Sequence, residues 1–108
     1  STAGGSWVEA DGTRRRLRHG DFAVERLGSW KSPHSGARYP AGWRVRVPSL
    51  ALEVLVDPRM ADQELCLHAL GEITYWEGAV RVAGTRRQRP LRGVGYVELT
   101  GYAGAPLR

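Results

Sequence analysis

Two glutamates in the last third of the chain are the residues best suited to proton chemistry. Glu77 lies in the run Ile73-Thr74-Tyr75-Trp76-Glu77-Gly78-Ala79-Val80-Arg81-Val82, and Glu98 in Val94-Gly95-Tyr96-Val97-Glu98-Leu99-Thr100-Gly101-Tyr102. Both runs read as long strands, joined through an Arg-rich turn marked by Gly84 and Pro90. If they pair, the two acids lie near each other, although the register is open. Two carboxylates can divide acid and base roles when their surroundings separate their pKa values. They equally suit ion pairs with Arg81 or Arg46. Strand alternation puts Tyr75, Glu77, Ala79 and Arg81 on one side and Trp76, Gly78, Val80 and Val82 on the other. Glu77 and Glu98 are therefore a candidate acid and base pair.

The aromatic residues suggest a ligand rather than a reaction. Trp30, Tyr39, Trp43, Trp76, Tyr96 and Tyr102 are placed to line the lumen of a small barrel around a hydrophobic small molecule. The same residues would equally fill that lumen as core. His19, His34 and His68 show no metal-ligand spacing to one another or to the single Cys66, so no metal site is assigned. His34 stands beside Ser32 and Ser35, but a nucleophile and its base need geometry rather than adjacency. No Gly-x-Ser-x-Gly elbow and no phosphate-cradling loop ahead of a helix occurs. Cys66 is expected to be a small buried side chain.

The elements that would position these residues are nearly all strands. Trp7–Ala10 is a strand candidate, Asp11-Gly12 a two-residue turn, and Thr13–Leu17 the return. His19-Gly20-Asp21 forms a second turn before a strand through Phe22–Leu27. Gly28–Pro40 is irregular, with Pro33 and Pro40 and the large aromatics Trp30 and Tyr39 at its ends. Trp43, Val45 and Val47 alternate with Arg44 and Arg46, and the apolar parity shifts at Leu50, Leu52, Val54 and Val56. A bulge or tight turn at Pro48-Ser49 would produce that shift. Asp57-Pro58 ends the strand, Met60–Glu64 connects, and Leu65–Leu70 is read as extended, with His68 within it. The pattern predicts an all-β, antiparallel meander, a closed barrel first and a β-sandwich second. Residues 1–6 read as a linker, 7–103 as the barrel and 104–108 as a frayed tail.

A chain of 108 residues with a formal net charge of +5 supports one domain with one modest core. The positive charge concentrates in Arg14-Arg15-Arg16-Leu17-Arg18 and Arg86-Arg87-Gln88-Arg89, where turns are predicted. No aromatic stacking platform interleaves with these clusters, which disfavours nucleic acid as a partner. No apolar stretch approaches the length of a membrane-spanning helix.

Several strings together resemble one family. They are Trp30-Lys31-Ser32-Pro33-His34-Ser35-Gly36, Tyr39-Pro40-Ala41-Gly42-Trp43, Val47-Pro48, Asp62-Gln63-Glu64-Leu65, Tyr75-Trp76-Glu77-Gly78-Ala79-Val80 and Gly93–Tyr102. In this order they resemble the C-terminal lipocalin-like (calycin-type) domain of the AttH-like proteins. That group includes carotenoid 1,2-hydratase, or hydroxyneurosporene synthase, and proteins called predicted secreted hydrolases. The resemblance implies two consecutive barrels in the parent, with this chain as the second and an N-terminal sister barrel domain as its partner. It implies no metal or organic cofactor, and an exported or membrane-associated bacterial protein. It leaves two expectations of function. One is a non-catalytic domain that binds a hydrophobic small molecule or packs on its sister barrel. The other is part of a cofactor-independent hydratase or hydrolase-like enzyme acting on an isoprenoid or other apolar substrate, for which the resemblance makes Glu77, Glu98 and Tyr75 the candidate catalytic residues.

Overall fold

A computed structural model describes residues 3–67 and 73–103. The order is β1 (Gly4–Val8), β2 (Arg14–Arg18), β3 (Ala23–Arg26), β4 (Ser29–Lys31), β5 (Arg38–Pro40), β6 (Trp43–Val47), β7 (Leu52–Pro58), β8 (Glu64–Leu67), β9 (Ile73–Arg86) and β10 (Arg89–Leu99). His68 and the 104–108 tail lie outside the described residues. β1 begins at Gly4, ahead of the expected Trp7, so part of the stretch read as a linker is strand.

The main sheet runs β10-β9-β7-β6-β3, all antiparallel, with β8 extending the ladder along β9 beside β7. It is a curled, lipocalin-like half-barrel. Among the described residues β10 and β3 are its ends and do not pair. Two separate hairpins cover the inner face instead. From β1–β2, Trp7 and Leu17 pack on Val47, Leu50, Leu52 and Val54, with Phe22 beside them. From β4–β5, Trp30 and Tyr39 pack with Trp76, Val97 and Leu99. Burial of both apolar clusters supplies the main driving force for this closure.

Local chemistry fixes the connections. Pro48–Leu50 is a single 3-10 turn, closed by Ala51 in the left-handed region at φ 48°. That turn is the source of the parity shift read in the sequence. The β9–β10 turn is tighter than expected: Arg87 and Gln88 form it, at φ 51° and 66°. Gly84 and Pro90 lie within the ladder, opposite Leu91 and Thr85. Gly84 has a different reason to be glycine, because a β-carbon there would run into the backbone of Glu53 and Val54 on β7.

The arginine clusters also differ from expectation. Arg14–Arg18 form strand β2, as the return strand read over Thr13–Leu17 implies, and not the turn to which their charge is assigned from sequence. Arg86 is no solvated turn residue. Its guanidinium clamps the Glu9 carboxylate at 2.7 and 3.2 Å, and its Cζ sits 4.7 Å from the Trp7 ring centroid. Donation from Arg86, and then from Trp7, holds Glu9 below the ordinary carboxylate range. This clamp ties the β1–β2 hairpin to the end of β9.

Candidate functional site

The segment linking β7 to β8 is where the polar chemistry gathers. β7 leaves the ladder after Pro58, opposite Val80, and β8 resumes it at Glu64, opposite Trp76. The β9 backbone between those points would lack partners. Gln63 supplies them. Its backbone carbonyl accepts from Glu77 N at 3.2 Å, its Oε1 accepts from Ala79 N at 3.0 Å, and its Nε2 donates to the carbonyls of Ala79 and Met60. A side-chain amide thus replaces a missing stretch of strand, as buried backbone groups require. Gly78 is glycine because the Gln63 amide occupies the space a β-carbon would need.

The neighbours of Gln63 hold the loop between β4 and β5. Glu64 accepts three hydroxyl bonds, from Ser32 and Ser35 at 2.5 Å each and from Tyr39 at 2.7 Å. Burial alone pushes the Glu64 carboxyl up. Donation from Ser32, Ser35 and Tyr39 outweighs it, and the net position lies below the ordinary range. Burial, and then the Glu64 charge, push the Tyr39 phenol well above its usual value. Ser32 is 2% exposed, and its Oγ also accepts from the backbone N–H groups of His34 and Ser35. His34 Nε2 meets Asp62 Oδ2 at 2.6 Å, and this bond raises the imidazole pKa.

This arrangement is a clamp rather than a nucleophilic site. The Ser32 hydroxyl donates to a carboxylate and is closed off from solvent. His34 turns to Asp62, while only its backbone N–H meets Ser32. The sequence reading did not nominate Glu64, Asp62 or Gln63. Its signal for them was the string Asp62-Gln63-Glu64-Leu65, quoted for the resemblance but given no role.

The candidate aromatics separate into groups. Tyr39 and Trp76 are 1% and 2% exposed. Trp30 stacks on Tyr39 with centroids 6.1 Å apart, and the tilted Tyr102 ring lies 5.6 Å from Tyr39. Trp76 Nε1 donates to Ala61 O at 2.8 Å. The cavity beside them, lined by Trp30, Pro40, Pro58 and Trp76 among others, measures about 110 Å³. Trp43 is buried at the start of β6 opposite Val56, outside this cluster. Tyr96 is 67% exposed on the outer face.

The candidate acids do meet, on the face opposite Trp76. Glu98 is the direct cross-strand partner of Glu77. Tyr75 Oη donates to Glu77 Oε1 at 3.1 Å, and this bond raises the phenol pKa. Tyr96, opposite Ala79, continues the same outer face. Leu65 lies opposite Tyr75 and Leu67 opposite Ile73, and all three apolar side chains among them, Leu65, Leu67 and Ile73, are exposed. Cys66, between them on β8, is also exposed, contrary to the buried expectation, because β8 is an edge strand. Among the described residues no three His, Cys, Asp or Glu side chains gather as metal ligands.

A model of the AttH-like family matches residues 1–102. The fold is also similar to two crystal structures. One, described as AttH from Nitrosomonas europaea, is 37% identical with a TM-score of 0.73, over 90% of this chain and 29% of its own. The other, kievitone hydratase from Nectria haematococca, is 20% identical with a TM-score of 0.72, over 94% of this chain and 31% of its own. At that identity the second likeness is one of fold alone. The chain therefore spans less than a third of either protein. No curated protein sequence matches it.

Proposed function

Because the chain belongs to the AttH-like family, we propose that it is a non-catalytic lipocalin-like domain that packs on a sister barrel of a longer protein. The contact would use the outer face of β8, β9 and β10. The observation that carries this reading is the division of the aromatics. Tyr39 and Trp76 fill the interior, and the cavity beside them, about 110 Å³, is far below the roughly 300 Å³ at which ligand pockets begin. That favours packing over capture of a hydrophobic molecule inside the half-barrel. The outer face, by contrast, exposes Leu65, Leu67 and Ile73 at one end and Tyr96 farther along, with Tyr75, Glu77 and Glu98 between them, apolar anchors around polar groups as at a non-obligate interface.

A second reading is favoured by one feature of that face. Tyr75, Glu77 and Glu98 converge there, so a covering barrel would enclose a proton-donating and proton-accepting group at the junction. That is the equipment of a cofactor-independent hydratase, which protonates an alkene and activates water. An isoprenoid or carotenoid substrate rests on the family resemblance.

The test has two parts. The chain is incubated with an extract of hydrophobic metabolites, re-isolated and read by native mass spectrometry; no stoichiometric ligand that depends on the interior Trp76 is expected. It is then titrated with the separately expressed remainder of its parent polypeptide. Association that is lost in Ile73→Asp/Tyr96→Asp is expected. A stoichiometric apolar ligand, retained by the chain and lost in folded Trp76→Ala, would overturn the packing reading.

A further inference from the structure

The outer face of the β9–β10 hairpin changes character beyond Tyr96. Val94 lies opposite Arg81, and Arg92 opposite Ala83. Arg59 joins from the other side of β9, where its backbone N–H donates to Ala79 O at 3.0 Å. Arg59, Arg81, Arg92, Ala83, Gly93 and Val94 line an open groove of about 420 Å³. The volume lies in the range of roughly 300–1,000 Å³ typical of small-molecule sites.

None of these three guanidinium groups forms an ion pair or side-chain hydrogen bond with a described residue. Other arginines of the same sheet are paired: Arg44 with Glu25, Arg46 with Glu53, Arg86 with Glu9. Asp57 faces Arg81 across the β7–β9 ladder, yet it forms no ion pair with it. Its Oδ1 is turned instead towards Gly42, 3.4 Å from where a β-carbon on that glycine would sit. The groove thus gathers three cations without an ion-pair partner among the described residues, over an apolar floor and rim, with Val94 79% exposed.

We propose that this groove binds an amphipathic small-molecule anion, its carboxylate or phosphate head held by Arg59, Arg81 and Arg92 and its apolar tail lying along Val94. Guanidinium forks match both head groups in bidentate geometry. A bound anion would also relieve the repulsion among three converging like charges. The apolar lining favours a tailed anion over an inorganic one. The site adjoins the proposed packing face, with Tyr96 two residues from Val94 on the same side of β10, but uses none of the residues that reading rests on.

The experiment titrates the 108-residue chain with decanoate and with decyl phosphate below their micellar concentrations, followed by amide NMR. Decanol and inorganic phosphate serve as tail-only and head-only probes. Both amphipathic anions are expected to saturate at one per chain and to shift Val94. Arg81→Gln/Arg92→Gln should weaken them by roughly tenfold or more, with the amide spectrum still dispersed. Arg14→Gln/Arg16→Gln removes the same charge from β2 and should leave affinity within about twofold. Sedimentation with phosphatidylglycerol or phosphatidylcholine vesicles separates a membrane headgroup from a free anion; binding confined to either source supports the site. Equal weakening by the two double variants, binding of decanol as tight as decanoate, or absence of saturation would overturn it.

Discussion

Glu98 lies directly opposite Glu77 in the β9–β10 ladder. Like charges at facing cross-strand positions are destabilising, by about 0.2–1 kcal/mol. Glu98→Gln should therefore raise the urea midpoint at neutral pH, and the gain should shrink at high salt. An unchanged or lowered midpoint would mean that the two carboxylates are not held against each other.

Glu64 is the hub of the loop clamp. Glu64→Ala leaves the buried Ser32 hydroxyl and the Tyr39 phenol without their acceptor, and should cost about 2 kcal/mol or more in chemical denaturation. Glu64 lies below its ordinary range, so its contribution is present above the unfolded-state value and lost as pH falls through the folded one. Acid unfolding should accordingly be less steep in Glu64→Gln. Equal acid profiles for wild type and Glu64→Gln would remove the carboxylate from this role.

The His34–Asp62 contact acts with the opposite sign. Asp62 raises the imidazole pKa, so the pair supports the fold at pH below the unfolded histidine value of about 6.5. That support is lost as pH rises through the higher folded-state value. His34→Gln should flatten the melting temperature between about pH 6 and 8. The His34 ring protons, followed by NMR, should titrate above those of a model peptide; titration at or below the peptide value would refute the contact.

The two aromatic environments separate sharply by substitution. Trp76 is 2% exposed, and Trp76→Ala should cost about 3–5 kcal/mol. Tyr96→Ala, at an exposed position, should stay within about 0.5 kcal/mol. A costly Tyr96→Ala would place that ring in the core and withdraw it from the proposed packing face.

Two glycines of the long hairpin make a further pair. Gly84→Ala drives a methyl group into the β7 backbone and should cost about 1–3 kcal/mol. At Gly93 the nearest atom to an added β-carbon is Val82 Cβ, 4.0 Å away, so Gly93→Ala should be tolerated. Similar unfolding midpoints for the two variants would mean that β7 and β9 approach less closely than described.

Much of the fold was legible because strand alternation is local. The period-2 pattern of Trp43–Val47 assigned inner and outer faces, and that of Ile73–Val82 sorted its side chains onto two faces without saying which was inner, since side-chain direction alternates along a strand. The same parity separated Trp76 from Glu77. It could not say that Glu77 and Glu98 face each other, because register depends on the length of the turn. Arg87 and Gln88 made that turn two residues long through positive φ angles, a conformation neither residue type announces. Gly84 and Pro90 were read as turn markers because their local propensities fit one. Gly84 instead packs against β7, about thirty positions away in sequence, and Pro90 sits in the ladder opposite Thr85.

The sequence by itself determined an all-β antiparallel domain, the AttH-like resemblance and the faces of its strands, because alternation and motif order are properties of the chain alone. Only the tertiary structure decided that Tyr39 and Trp76 fill the interior while Tyr96 lies outside, that Gln63 and Glu64 join the loop to the sheet, and that Arg59, Arg81 and Arg92 share one groove. Those relationships bring together residues from separate strands, and the close packing that creates them is set by contacts the linear pattern does not encode.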